Sequence, residues 1–345
     1  MPCERYRSAV IDKPVQLGYN LSNNMLRSPD QDMNGNNPDS NKRPHPSAKD
    51  PLEVRIRGLI RDQAYSDSQG EKMWGESRKI QIAYFQDALV HLDNPKYVHD
   101  KTQEALEKIA RSTNAHIVSG KENVTGLKTP ALIILNHYSG YKLTALKHEE
   151  LDADFGDMEE LYPFPSFFAP MVPVAKAVGE DVALYDAHLE YSDIEKSLPL
   201  RKVQEEAGLL VIPEDGGNFT STLEATRKLT KEKPRSLLVV FPEGESSGKR
   251  NNGGPYDMVE FHTGSFVIAA ELGMPIVPAV QYFNAEKGFQ VAVLPPLTDI
   301  KVFPKESDGK PTLESKEYYA NLTSSTHDAM QKALNALTGK ASADR

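Results

Sequence analysis

Two short apolar runs constrain this chain more than any other feature. Ala131-Leu132-Ile133-Ile134-Leu135 leads directly into Asn136-His137, and Leu237-Leu238-Val239-Val240 leads into Phe241-Pro242-Glu243-Gly244. Each run is continuous rather than alternating and rich in β-branched or leucine side chains, so each reads as a strand covered on both faces. Strands of that kind belong to mainly parallel sheets flanked by helices, whose ligand sites lie beyond the strands' C-terminal ends. The polar residues after the two runs are therefore expected at that edge.

The rest of the chain extends the alternation. Further strands are expected at 181–185, 209–212, 276–283 and 290–294, with the second opening run reaching 241, and a short helix over 264–273 ends on Gly273. Upstream, Ile82, Phe85, Ala88, Leu89 and Leu92 share one helical face, and Ala105, Leu106, Ile109 and Ala110 mark a second amphipathic helix. A terminal helix is expected over 314–337. The fold class is α/β, a mainly parallel sheet flanked by helices, preceded by a small helical region and a disordered tail. The expected division is a tail at 1–50, a helical region at 51–120, the α/β domain at 121–310 and a C-terminal helix with a frayed end at 311–345. The tail is rich in Asn, Asp, Ser and Pro and has too little apolar surface to offset chain entropy.

Charge and cysteine content narrow the function classes. A net charge of −9 without a basic stripe argues against nucleic acid and against a strong pull towards anionic lipid. The single cysteine, Cys3, makes no internal disulfide and fits a reducing compartment. The first residues carry no apolar export signal, so a cytoplasmic location is expected and the four Asn-X-Ser/Thr sequons read as chance. No run reaches the roughly 18–20 apolar residues of a spanning helix. The longest approach, 161–178, is cut by Pro163, Pro165, Pro170 and Pro173 and carries Lys176. It either lies at a membrane interface or lines an apolar groove, which leaves peripheral membrane contact open. No His/Cys cluster suggests a metal, and the stretch from Gly244 to Arg250 is one residue too short between its glycines for a phosphate loop.

The Asn136-His137 and Phe241-Pro242-Glu243-Gly244 motifs together resemble those of the glycerolipid acyltransferase superfamily, over roughly 130–300. Those enzymes move an acyl chain from acyl-CoA or acyl-carrier protein to glycerol phosphate, lysophosphatidate and related alcohols. The resemblance implies that His137 is the general base that takes the acceptor's hydroxyl proton. It implies substrate contact by Asn136, Ser139, Phe241, Pro242, Glu243, Gly244 and Ser247, and it needs no cofactor beyond the acyl donor itself. A close further match runs from Phe261-His262-Thr263-Gly264 to Pro275-Ile276-Val277-Pro278, mostly a helix and the next strand.

Three family positions differ. The family's Asp, five residues after the histidine, is Lys142, which cannot accept an imidazole N–H. Either another acceptor serves His137 (Asp152 and Asp154 are nearest in sequence), or turnover is slow, or it is abandoned. Ser246 stands where the third motif carries arginine, and the second block's arginine falls on Glu214 or Asp215. Arginine grips phosphate bidentately and a carboxylate repels it, so a simple glycerol phosphate acceptor is disfavoured. Lys249 and Arg250 are the cations left to replace that charge, against the plainer reading of two solvated loop residues. The pairs His45/Asp50 and His188/Asp193 share the family spacing without a buried strand before them and read as coincidence; His148 and His262 read as surface or packing residues. The expected function is acyl transfer from a thioester to an alcohol or amine, within lipid and phospholipid biosynthesis. The alternatives are a silent acyl-binding protein of the same fold and a hydrolase in which water replaces the acceptor.

Overall fold

The computed structural model describes residues 68–138, 146–147, 160–161, 168–190, 203, 205–207, 210–213, 219–244, 247, 254–304 and 311–339. The expected disordered tail lies outside them. In order come α1 (Ser68–Leu89), α2 (Pro95–Ser112), β1 (His116–Ser119), β2 (Ala131–Leu135), β3 (Leu146–Lys147), β4 (Glu160–Leu161), α3 (Val172–Val178), β5 (Ala183–Glu190), β6 (Leu210–Pro213), α4 (Phe219–Glu232), β7 (Ser236–Val240), α5 (Gly264–Leu272), β8 (Ile276–Asn284), β9 (Gly288–Val293) and α6 (Leu313–Thr338).

Among the described residues the main sheet runs β1-β9-β8-β2-β7-β5-β6. β2 lies at its centre, parallel to β8 on one side and to β7 on the other. β5 and β6 continue that direction, and only the β8–β9 hairpin is antiparallel, with β1 parallel to β9. Every residue of β2 and β7 is buried, for the reason their composition announces. Ala131, Ile133 and Leu135, with Leu237 and Val239, face a core shared with α1, α2 and α3. Leu132 and Ile134, with Leu238 and Val240, face a second core shared with α5 and α6. The helix α1 enters both: Phe85 and Ala88 fill the first, and Trp74 the second.

Local chemistry sets the helix ends. The Asn94 side chain accepts from the Tyr97 N–H at 3.1 Å ahead of Pro95, which starts α2. Gly273, at φ 62°, stops α5 in the left-handed conformation expected of its glycine. A side chain also finishes the sheet. Gln103 of α2 donates to the Leu184 carbonyl at 3.0 Å and accepts the Leu184 N–H at 3.1 Å, standing in for a neighbouring strand beside β5.

The strand expected at 181–185 forms instead at Ala183–Glu190. Asp181 is held by Arg235 and the Val182 N–H closes a turn onto Gly179, so the strand starts late. It runs on through Asp186, whose charge breaks the apolar pattern although the residue is buried. The edge strand β1 and the helix α4 carry sparse apolar patterns and were not expected. From Phe168 onward, the proline-cut run forms a 3-10 turn and α3 and packs Phe168, Ala169, Met171 and Val174 into the first core. Among the described residues no helix is long and apolar enough to cross a membrane, and no group of His, Cys, Asp and Glu is placed to hold a metal.

Candidate functional site

Because β2 and β7 are parallel neighbours, with Ile134 opposite Val240, the two polar motifs leave the sheet side by side. Their junction is a hydrogen bond: the His137 N–H donates to Glu243 Oε1 at 2.8 Å. The same oxygen accepts from Ser247 Oγ at 2.8 Å, and Glu243 Oε2 accepts from the Val259 N–H at 2.9 Å. The Ser247 N–H in turn donates to the His137 carbonyl at 3.0 Å. Glu243 and Ser247 are both 0% exposed. A carboxylate on which three donors converge is well satisfied in its charged form even when buried.

On the other side of β2, Asn136 is clasped to β8. Its Oδ1 accepts from the Gln281 N–H at 2.7 Å, its Nδ2 donates to the Gln281 carbonyl at 3.2 Å, and Gln281 Nε2 donates to the Asn136 carbonyl at 3.0 Å. Both residues are fully buried. His137 is thus flanked by two buried polar clasps, one to each neighbouring strand, while its imidazole is half-buried against Phe241 at 4.6 Å between ring centroids. The next residue, Tyr138, is buried and stacks on Tyr256 at 5.3 Å and 10°. Burial pushes the Tyr256 hydroxyl well above its ordinary pKa, reinforced by Tyr138, so it stays a neutral group. Gln331 of α6 holds this segment from behind, donating to the Tyr256 carbonyl at 3.1 Å and accepting the Met258 N–H at 2.9 Å.

The turn after β7 needs its glycine. Gly244 has φ 68°, its N–H closes onto the Phe241 carbonyl at 3.0 Å, and a β-carbon on it would meet the His262 ring at 3.0 Å. The His262 N–H donates to the Pro242 carbonyl at 2.8 Å, so this exposed histidine stands over the motif. Gly244→Val is expected to lower stability by about 2 kcal/mol, because a β-branched residue resists the left-handed region. Chemical denaturation checks it; an unchanged midpoint would contradict this turn.

The structure brings Asn136, His137, Phe241, Pro242, Glu243, Gly244 and Ser247 into one cluster. Asn136, Glu243 and Ser247 spend polar atoms on protein partners inside it. Ser139, Lys142, Asp152, Asp154, Glu214, Asp215, Ser246, Lys249 and Arg250 lie outside the described residues, as do His45 and His148. Sequence reasoning missed Gln281, Val259 and Tyr256. Gln281 carried a usable signal, a lone amide inside an otherwise apolar strand. Val259 contributes only its backbone, which no side-chain pattern reveals.

Residues 201–281 match the family model described as Acyltransferase. The matched segment contains the Phe241–Gly244 motif and Gln281, and the histidine motif precedes it. Among solved structures, the chain is similar to the 1-acyl-sn-glycerophosphate (LPA) acyltransferase PlsC from Thermotoga maritima, at 12% identity and a TM-score of 0.44, over 84% of this chain and 99% of that one. No curated protein matches the sequence.

Proposed function

We propose, for a chain whose residues 201–281 carry the Acyltransferase family's pattern, that it moves an acyl group from acyl-CoA or acyl-carrier protein to an alcohol or amine, with His137 as general base. One observation carries the reading: the 2.8 Å bond from His137 N–H to Glu243 joins the two motifs beyond the ends of adjacent parallel strands. There the imidazole takes the acceptor's proton as its oxygen or nitrogen attacks the thioester carbon. The carbonyl's π electrons move to oxygen, and the tetrahedral intermediate collapses by expelling the thiolate. The thiolate then takes the proton from the imidazolium. Phe241, packed on the ring, limits its rotation and excludes water from that side. Asn136 and Ser247 support the turn from either side. Phe241 and Gly244, half-buried at the turn, are the residues we assign to substrate contact, with Asn136, Pro242 and Ser247 buried behind them. From their place in the sequence, Ser139 is assigned to the same contact and Lys249 and Arg250 to an anionic portion of the substrate.

The acceptor we assign is not a simple glycerol phosphate, because Ser246 and an acidic Glu214 or Asp215 occupy the two arginine positions. Thiol release from a long-chain acyl-CoA is expected with unphosphorylated alcohols or amines, and at least about tenfold more slowly, in kcat/KM, with lysophosphatidate or glycerol 3-phosphate. A factor of ten corresponds to about 1.4 kcal/mol, the scale of one lost charged hydrogen bond. Efficient acylation of lysophosphatidate would move phosphate recognition to Lys249 or Arg250. Lys142 keeps one other reading open, an acyl-binding protein of this fold without turnover.

A further inference from the structure

We propose that Glu243 is the positioning residue of the site, supplying to His137 through its backbone the anchor and the negative charge that Lys142 cannot give its imidazole. The proposal rests on His137 being the base. Four observations carry it. Glu243 is 0% exposed, so its carboxylate is closed off from solvent. Its Oε1 takes the His137 N–H at 2.8 Å, which fixes the backbone from which the imidazole projects. Two further donors, Ser247 Oγ and the Val259 N–H, come from separate segments and pin the carboxylate itself, so it cannot follow if the histidine drifts. Asn136 closes the other side by its clasp to Gln281. A glutamate held in this way is an anchor, not a contact for substrate.

The charge acts as well as the bond. Covalent geometry keeps the half-buried imidazole within about one side chain's length of this carboxylate, which is itself closed off from water. A nearby negative charge favours the imidazolium, the form His137 takes once it has accepted the proton. Among the described residues, the other titratable side chains on the segments around the turn are Tyr138, Tyr256, Asp257, Glu260 and His262. The Asp257 carboxylate accepts the Gly254 N–H at 2.6 Å and Glu260 is exposed. Tyr256 is held neutral by burial, and His262, beside Gly244, is exposed.

The test is the titration of His137, followed by NMR of histidine-labelled protein and assigned by the resonance lost in His137→Ala. Glu243→Gln is expected to lower its midpoint by about 0.5–1 pH unit, because a neutral amide replaces the carboxylate. With turnover, the rising limb of kcat/KM against pH moves down by the same amount, since the base must be neutral to act. The same substitution is expected to lower kcat roughly 10- to 100-fold with little change in KM, as for a misplaced base. Glu243→Asp keeps the charge and shortens the reach: kcat falls while the titration stays close to wild type. A wild-type titration in folded Glu243→Gln overturns the proposal. If that variant does not fold, Glu243→Asp decides, reduced kcat supporting the proposal and wild-type kcat overturning it. If wild type shows no turnover, Glu243→Gln is read by its titration alone, and an unfolded Glu243→Gln beside a Glu243→Asp that keeps the wild-type midpoint supports the anchor, whereas a lowered midpoint in Glu243→Asp overturns it. Wild-type thiol release by His137→Ala would refute the base assignment separately, because the titration of Glu243→Gln reads the carboxylate's influence whether or not the histidine is catalytic.

Discussion

Alanine at position 137 is expected to reduce thiol release from acyl-CoA in the presence of acceptor by about 10²–10⁴-fold, the range for losing a positioned general base. The protein should remain nearly as stable as wild type. Two bonds that tie residue 137 to its surroundings come from its backbone, the N–H to Glu243 and the carbonyl to Ser247, and both survive the substitution. What is lost is a half-buried ring packed on Phe241, a contact of about 0.5–1.5 kcal/mol, or a few degrees in Tm for a domain of this size. A colorimetric thiol assay across alcohols, amines and phosphorylated glycerols, paired with a melting curve, separates the two quantities. Equal background rates in wild type and variant across the panel would remove catalysis and leave acyl binding as the function of the fold.

Trp74→Ala is expected to be the most destabilising single change considered, at about 3–5 kcal/mol. Trp74 is 1% exposed and sits among Phe283 at 4.8 Å, Phe289 at 5.8 Å and Tyr138 at 6.5 Å between ring centroids. Truncation leaves a cavity in the second core, bordered by aromatic rings that cannot collapse into it without losing their own contacts. Because Tyr138 follows His137 directly and stacks on Trp74 and Tyr256, loosening this cluster should also depress kcat. Trp74→Phe, which keeps a ring, should restore roughly half of the loss. Equilibrium denaturation followed by circular dichroism is the suitable measure, since the chain's single tryptophan is the residue removed. A cost below about 1 kcal/mol would mean that the start of α1 is not docked on this core.

The two central strands were legible because burial on both faces leaves a direct imprint on composition. Ala131–Leu135 and Ser236–Val240 are apolar at almost every position, and no other common element needs that pattern over so few residues. Glycine left a similar imprint at Gly273, where only a residue without a β-carbon accepts the left-handed backbone cheaply. β5 was misread at its edges because Asp186 is polar yet buried, and composition records side-chain polarity rather than burial.

What the sequence determined by itself is the pair of motifs, and that each follows a buried strand. Strand order decided the rest. Asn136-His137 and Phe241–Gly244 are far apart along the chain, and only the parallel pairing of β2 with β7 makes them neighbours. The roles of Glu243, Gln281 and Val259 likewise depend on which backbone groups the fold brings within 3 Å of a side chain. Backbone donors are identical at every non-proline residue, so the sequence carries no mark of which ones a buried carboxylate will find.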